Sequence, residues 1–338
     1  MTARARSRLL IALSAGLVFL LVACGGGLPQ NTLEPAGPTS RTIDRLFDPV
    51  FWIAVAVFVV VEGLLVYAVI RFRHRPGAAV PVQVHGNRRM EIAWTIAPAV
   101  LLAVIAVPTL VTIFSLYSTP KNALTIEVTG HQWWWDVKYP SLGVETANEI
   151  HVPAGQKIFV KVTSYDVIHS FWIPRLAGKQ DLEPGKINHL TLEADAPGTY
   201  LGQCAEYCGT SHANMRMRVI AQARSDFDTW VSAQRRPAPQ PPANVLTIMR
   251  GTPTRQSCGG CHTINGLEEQ GLVGIIGPNL THFGSRTTFA GSIFPNTPQE
   301  LAAWLRDPPA RKAGADMPNL GLSQQQIQAL VTYLEGLK

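Results

Sequence analysis

Charge is scarce in this 338-residue chain. Asp, Glu, Lys and Arg make up 15% of it, against about a quarter of an ordinary soluble domain. Mean hydropathy is positive, at +0.11, so apolar segments of membrane type are expected. Proline and glycine, 25 and 28 residues, fall short of the roughly 25–30% that marks a disordered chain, so real cores can form. The length favours two or three domains over one small module. A basic face is also missing. The formal charge of +6 is concentrated in residues 1–23, with Arg4, Arg6 and Arg8, and in residues 71–90, with Arg71, Arg73, Arg75, Arg88 and Arg89, and neither stretch has an acid. The remainder is slightly acidic, which excludes a nucleic-acid partner.

The first basic cluster precedes an apolar run, Leu9 to Val22, and then Ala23-Cys24-Gly25, the pattern of a signal peptide over 1–23. Leu21-Val22-Ala23-Cys24 resembles a bacterial lipobox, which implies lipidation of Cys24; an uncleaved anchor is the alternative. Residues 24–47 are then an external segment. Pro49 to Ile70 is apolar with one charge, Glu62, and Asp48-Pro49 is a good N-cap and N1 pair. Ile92 to Tyr117 has no charge. Each stretch can span about 30 Å of hydrocarbon, giving a transmembrane hairpin over 48–118. Its arginine loop, 71–90, belongs on the cytoplasmic side. Glu62 faces either a functional site or a partner's polar groups.

From 119 to 232 the pattern is short alternating runs broken by Pro and Gly, such as Leu124–Val128, Lys157–Val162, Ile187–Leu192 and Arg216–Ile220. These predict a small β-sandwich or barrel. Its last two strands hold Cys204, Glu206, Cys208, His212 and Met215, with His169 upstream on a neighbouring strand end. Thiols, imidazoles and a thioether so close together suit copper. A disulfide and structural zinc compete, although the nearby His and Met weigh against the disulfide. A mononuclear blue-copper site needs only one Cys.

The C-x-E-x-C-x-x-x-H-x-x-M pattern, with the surrounding residues 40–222, resembles subunit II of the haem-copper cytochrome c oxidases. The resemblance implies an all-β cupredoxin fold of Greek-key type with a binuclear CuA centre. Cys204 and Cys208 would bridge two copper ions, His169 and Met215 completing one, His212 and the Glu206 carbonyl the other. The Glu206 side chain would also reach a magnesium ion shared with subunit I. Gly130-His-Gln-Trp133-Trp134-Trp135 resembles the aromatic patch of that family, with Trp133 as the electron-entry residue; an aromatic core cluster is the plainer reading for Trp134 or Trp135. Glu91, in Asn87-Arg-Arg-Met-Glu91, resembles the acid at the mouth of a proton channel shared with subunit I, and otherwise reads as a helix-start acid.

Residues 233–243 hold a proline-rich linker, semi-rigid and of polyproline type. The module at 244–338 opens with Cys258-Gly-Gly-Cys261-His262, the attachment signature of a c-type haem with His262 as proximal ligand. Met317 is the only methionine after His262 and the expected distal ligand. Gly277-Pro278-Asn279-Leu280 resembles the class I cytochrome c loop whose Pro278 carbonyl supports the proximal histidine. His282 is a rival distal ligand, and Met249 a structural residue. An amphipathic helix is predicted over about Ser323–Leu337.

The leading reading is the electron-entry subunit of a terminal cytochrome c oxidase in a bacterial inner membrane, its copper and all-α cytochrome domains outside. Its own haem c would reduce CuA, and subunit I would reduce oxygen to water with proton pumping. Subunit III, membrane lipid and an upstream quinol-cytochrome c reductase or small cytochrome complete the expected partners. A CuA subunit of a nitric or nitrous oxide reductase-type complex is the alternative. Quinol-oxidising subunits of this fold lack the copper ligands present here.

Overall fold

The computed structural model describes residue 16 and residues 27–74, 76–77, 82–83 and 86–338. Cys24 and the signal segment lie outside the described residues. Two long helices come first, α1 (Pro38–Arg71) and α2 (Arg88–Leu116), each apolar enough to cross a membrane and exposed along that apolar stretch. Asn87 caps α2 by accepting from the N–H groups of Arg89 and Met90. The start of α1 corrects the expectation at Asp48-Pro49. Gly37 is the N-cap, Pro38 takes the first turn, and Pro49 lies inside the helix.

The reason is tertiary. The Ala36 N–H donates to the Arg175 carbonyl at 2.7 Å, and the Ala36 carbonyl accepts from the Asp195 N–H at 3.0 Å. Ser40 Oγ also donates to the Arg175 carbonyl, at 2.7 Å. Residues 36–40 are thereby pinned to the β domain, and the helix starts at the pin. Pro49 has no N–H to give to the helical ladder.

The β domain is a sandwich of two five-stranded sheets. The first, in spatial order, has β3 (Val144–Ala147), β2 (Trp134–Tyr139), β1 (Leu124–His131), β5 (Ile158–Ser164) and β8 (Asn188–Leu192). The second has β4 (Glu149–Pro153), β10 (Arg216–Gln222), β9 (Gly198–Cys204), β6 (His169–Trp172) and β7 (Gln180–Leu182). β1 pairs with β5, and β10 with β4, in parallel; the other pairings are antiparallel. Alternation along β5 puts Ile158, Val160 and Val162 inside, where they meet Ile126, Trp135, Tyr139 and Phe171. This is the period-2 pattern read from the sequence, now closed over one core. Helix α3 (Arg224–Gln234) packs Phe227 and Val231 onto it.

The C-terminal module contains α4 (Ala243–Arg250), α5 (Pro298–Arg306), the single turn α6 (Pro308–Arg311) and α7 (Gln324–Glu335), with a small ribbon of β11 (Thr288–Phe289) and β12 (Phe294–Pro295). Ser323 and Gln326 form a capping box at the start of α7, which satisfies two N-terminal donors reciprocally. Ile327, Leu330, Val331 and Leu334 are the buried face. The linker does not hang free between modules. The Ala238 N–H donates to the Asn265 carbonyl at 2.9 Å, and the Tyr333 hydroxyl donates to the Pro239 carbonyl at 2.8 Å.

Candidate functional site

The β-domain site is assembled where strand ends converge. His169 opens β6, Cys204 closes β9, and the Phe171–Cys204 pairing holds these strands side by side. The chain then runs through Glu206, Cys208 and one 3₁₀ turn, His212–Asn214, before Met215 leads into β10. Gly209, at φ +116, makes the bend after Cys208, a conformation that favours glycine. Cys204 and Cys208 are free thiols, their sulfurs 3.8 Å apart.

His169 Nδ1 lies 3.9 Å from the Cys204 sulfur, and His212 Nδ1 lies 3.6 Å from the Cys208 sulfur. Met215 Sδ is 3.7 Å from the Cys208 sulfur, and the Glu206 carbonyl is 3.2 Å from the Cys204 sulfur. Every residue of the expected copper set is therefore gathered at one point. Two sulfurs, two imidazole nitrogens and a thioether are a soft donor set that fits copper.

The electrostatics favour a cation. Cys204 is driven well below the ordinary thiol range, chiefly by its neighbour Cys208 and then by His169 and the Ser170 and Glu206 backbone. Cys208 is driven up, chiefly by Cys204. One thiol of the pair ionises easily and the second resists, unless a cation sits between them. His169 donates through Nε2 to Asp166 at 2.8 Å, leaving Nδ1 for a metal. Burial pulls His169 down, but Asp166 and Cys204 outweigh it and raise its pKa. Asp166 also accepts from the Gln132 N–H at 2.6 Å. The sequence reading missed Asp166, although an acid three residues before a ligand histidine was a usable signal.

Trp133 touches both sites. Its indole N–H donates to the Cys208 carbonyl at 3.1 Å, and the residue lines the cavity of the C-terminal module. Cys258, Cys261, His262, Pro278 and Met317 all line that cavity. His262 Nδ1 pairs with the Pro278 carbonyl at 2.8 Å, leaving Nε2 for the metal, as expected. Burial pushes the His262 pKa down, which keeps it neutral. Gly277 must lack a side chain, because a Cβ would stand 2.5 Å from the His262 ring.

A further observation fits a haem. Arg286 is buried in the lining, and its Nε has no protein partner among the described residues, which suits a haem carboxylate. His282 is buried and does not line the cavity, so it is not the distal ligand; Met249 is a buried wall residue of it. Trp135 is core, as the plainer reading had it, whereas Trp134 lines the cavity and stacks on His131 at 4.3 Å.

Among the remaining sequence candidates, Glu91 stands in the first turn of α2 and is exposed. Glu62 lines an otherwise apolar groove between α1 and α2. The side chain of Glu206 is exposed beside Tyr207. Lys312 was not legible in the sequence. It is 5% exposed, burial lowers it to about 7 against the pull of Cys208, and it donates to the Trp133 carbonyl at 2.6 Å and to the Ala290 carbonyl at 2.9 Å.

Comparison with known proteins identifies the segments of the chain. The family model for the periplasmic domain of cytochrome c oxidase subunit II matches residues 141–222, that for its transmembrane domain matches 29–112, and that for cytochrome c matches 252–338. Cytochrome c oxidase subunit 2 of Alkalihalophilus pseudofirmus is 36% identical over 331 residues, covering 95% of each chain. The protein of the same name from a Bacillus species is 36% identical over 342 residues, covering 96% of each. The crystal structure of the periplasmic domain of subunit II of cytochrome oxidase from Bradyrhizobium japonicum is 34% identical, with a TM-score of 0.34, over 35% of this chain and 97% of that one. The chain belongs to the cytochrome c oxidase subunit II family, in a form that carries a C-terminal cytochrome c domain.

Proposed function

We propose that this chain receives electrons on its own c-type haem, passes them by way of Trp133 to a binuclear CuA centre, and delivers them to subunit I of a haem-copper oxidase. The observation that carries the route is the hydrogen bond from the Trp133 indole to the Cys208 carbonyl, made by a residue that also lines the cavity of the cytochrome module. A haem and a copper pair held here would supply the one-electron chemistry. The chain's own residues hold and orient them. Cys258 and Cys261 would attach the haem, and His262 and Met317 would be its ligands. Cys204, Cys208, His169, His212, Met215 and the Glu206 carbonyl would hold the copper. Asp166 fixes the His169 ring, and the buried sandwich behind the site excludes water.

The Glu206 side chain, exposed beside the site, offers a ligand for magnesium at the contact with subunit I, and Glu91 offers a proton entry on the other side of the membrane. The arginine loop sets the orientation, with both cofactor modules on the outer face of a bacterial inner membrane. Lipid on Cys24, subunit III and an upstream cytochrome or quinol-cytochrome c reductase belong to the same reading. The test is Trp133→Phe in the purified oxidase complex, with copper reduction followed after the haem is reduced. We expect both absorption spectra to stay intact while the haem-to-copper rate falls at least tenfold. An unchanged rate would overturn the route.

A further inference from the structure

The contacts between the cytochrome module and the copper module are too specific for a tethered shuttle. Glu149, at the head of β4 in the copper module, is 1% exposed. Its carboxylate accepts from the Thr287 N–H at 3.0 Å, the Thr288 N–H at 2.9 Å and the Thr288 hydroxyl at 3.0 Å, as well as from the Thr287 hydroxyl. All these donors belong to the cytochrome. A buried carboxylate that loses such partners keeps its full desolvation cost, so opening the interface here is strongly opposed.

The second fixed point is Lys312, on the cytochrome loop that leads to Met317. It crosses to the Trp133 carbonyl while also holding the Ala290 carbonyl of its own module. An amine with two carbonyl acceptors is satisfied whether it carries two or three protons. Two residues on, Gly314 lies against the Trp133 ring so closely that a Cβ would sit 2.7 Å from it. Between the two points the Arg216 N–H donates to the Gly291 carbonyl at 2.9 Å, and the Asn279 amide donates to Glu145 at 3.2 Å. The contact runs from β3 and β4 to the copper loop.

We propose that the cytochrome is locked onto the copper module by a two-point latch, and that Glu149 and Lys312 are positioning residues that keep the haem cavity closed by Trp133. The lock makes electron transfer between the modules independent of domain motion. It also covers the Trp133 surface, so a diffusing donor reaches the haem and not the copper centre. The proposal rests on the electron route given above, and the two can fail separately.

The test uses the purified oxidase complex, wild type and with Lys312→Met, Glu149→Gln or the milder Thr288→Val. Hydrogen exchange at the Arg216, Thr287 and Thr288 amides reads the lock directly, and the haem-to-copper rate is measured over a range of solvent viscosity. In the wild type we expect protected amides and a rate flat in viscosity. In Lys312→Met and Glu149→Gln we expect exchange at these amides at least tenfold faster, and a slower rate that now falls with viscosity, with haem and copper midpoint potentials unmoved. Thr288→Val covers the case in which a stronger variant does not fold. Rapid exchange in the wild type, or a wild-type rate that falls with viscosity, overturns the lock. Variants that open the interface without slowing the electron support the lock and overturn the Trp133 route.

Discussion

The two cofactor sites are built on opposite plans. The proposed copper ligands sit at strand ends and on one short loop of a single sandwich, with neighbouring donor atoms 3.2–3.9 Å apart. The proposed haem ligands line a cavity, and residues 132–134 and 148 of the other module form part of its wall. A small soft-metal cluster can be preorganised by one core. A large planar group needs a cavity walled from several sides, and here the second module completes the wall. The copper site is therefore self-contained, whereas the haem site depends on the docking.

Breaking the copper side should give the largest effect. Cys208→Ser removes a thiolate that no further cysteine among the described residues can replace, since Cys258 and Cys261 line the other cavity. We expect complete loss of the copper absorption and spin-resonance signals, with the haem spectrum retained. A surviving copper spectrum would contradict the shared-thiolate site.

On the haem side, Met317→Ala should leave the haem attached through its two cysteines but deprive it of a thioether. Because thioether ligation raises the potential, a redox titration should show a fall on the order of 100 mV. The copper potential should not move.

Acid sharpens the contrast in stability. His131 lies buried between Trp134 and Tyr165, and burial lowers it to about 4, against about 6.5 for an unfolded histidine. Between those values the unfolded chain binds a proton that the folded chain refuses, so stability falls as pH drops from 6.5 towards 4. The loss is up to about 3 kcal/mol. Denaturant unfolding of His131→Phe should show a shallower decline over that window, and an identical pH dependence would contradict it. The smallest effect expected is at α7, where Ser323→Ala deletes the capping box for about 1 kcal/mol, readable as a lower midpoint for the cytochrome transition.

Much of this molecule was legible because its signals are local. The alternation in Lys157–Val162 became β5, the apolar spacing of Ile327, Leu330, Val331 and Leu334 became α7, and the copper and haem motifs are short spacings that bring their own geometry. The start of α1 was not legible, because it is fixed by Arg175 and Asp195, far along the chain. Asp48-Pro49 is a sound capping pair that a distant contact overrides. The linker's prolines gave no sign of the docking of Pro239 and Ala238 on the cytochrome. Glu149 and Lys312 carry no sequence signal, since a buried charge is recognisable only through the partners that surround it.

The central claim is the order of events along haem, Trp133 and copper. Stopped-flow mixing of the purified, fully oxidised complex with a reduced cytochrome donor, read at haem and copper wavelengths, tests it most directly. The account predicts that the haem is reduced first, that copper follows at a rate independent of donor and protein concentration, and that this second rate is nearly flat in salt. Copper reduced ahead of the haem, or at a rate that rises with donor concentration, would contradict it.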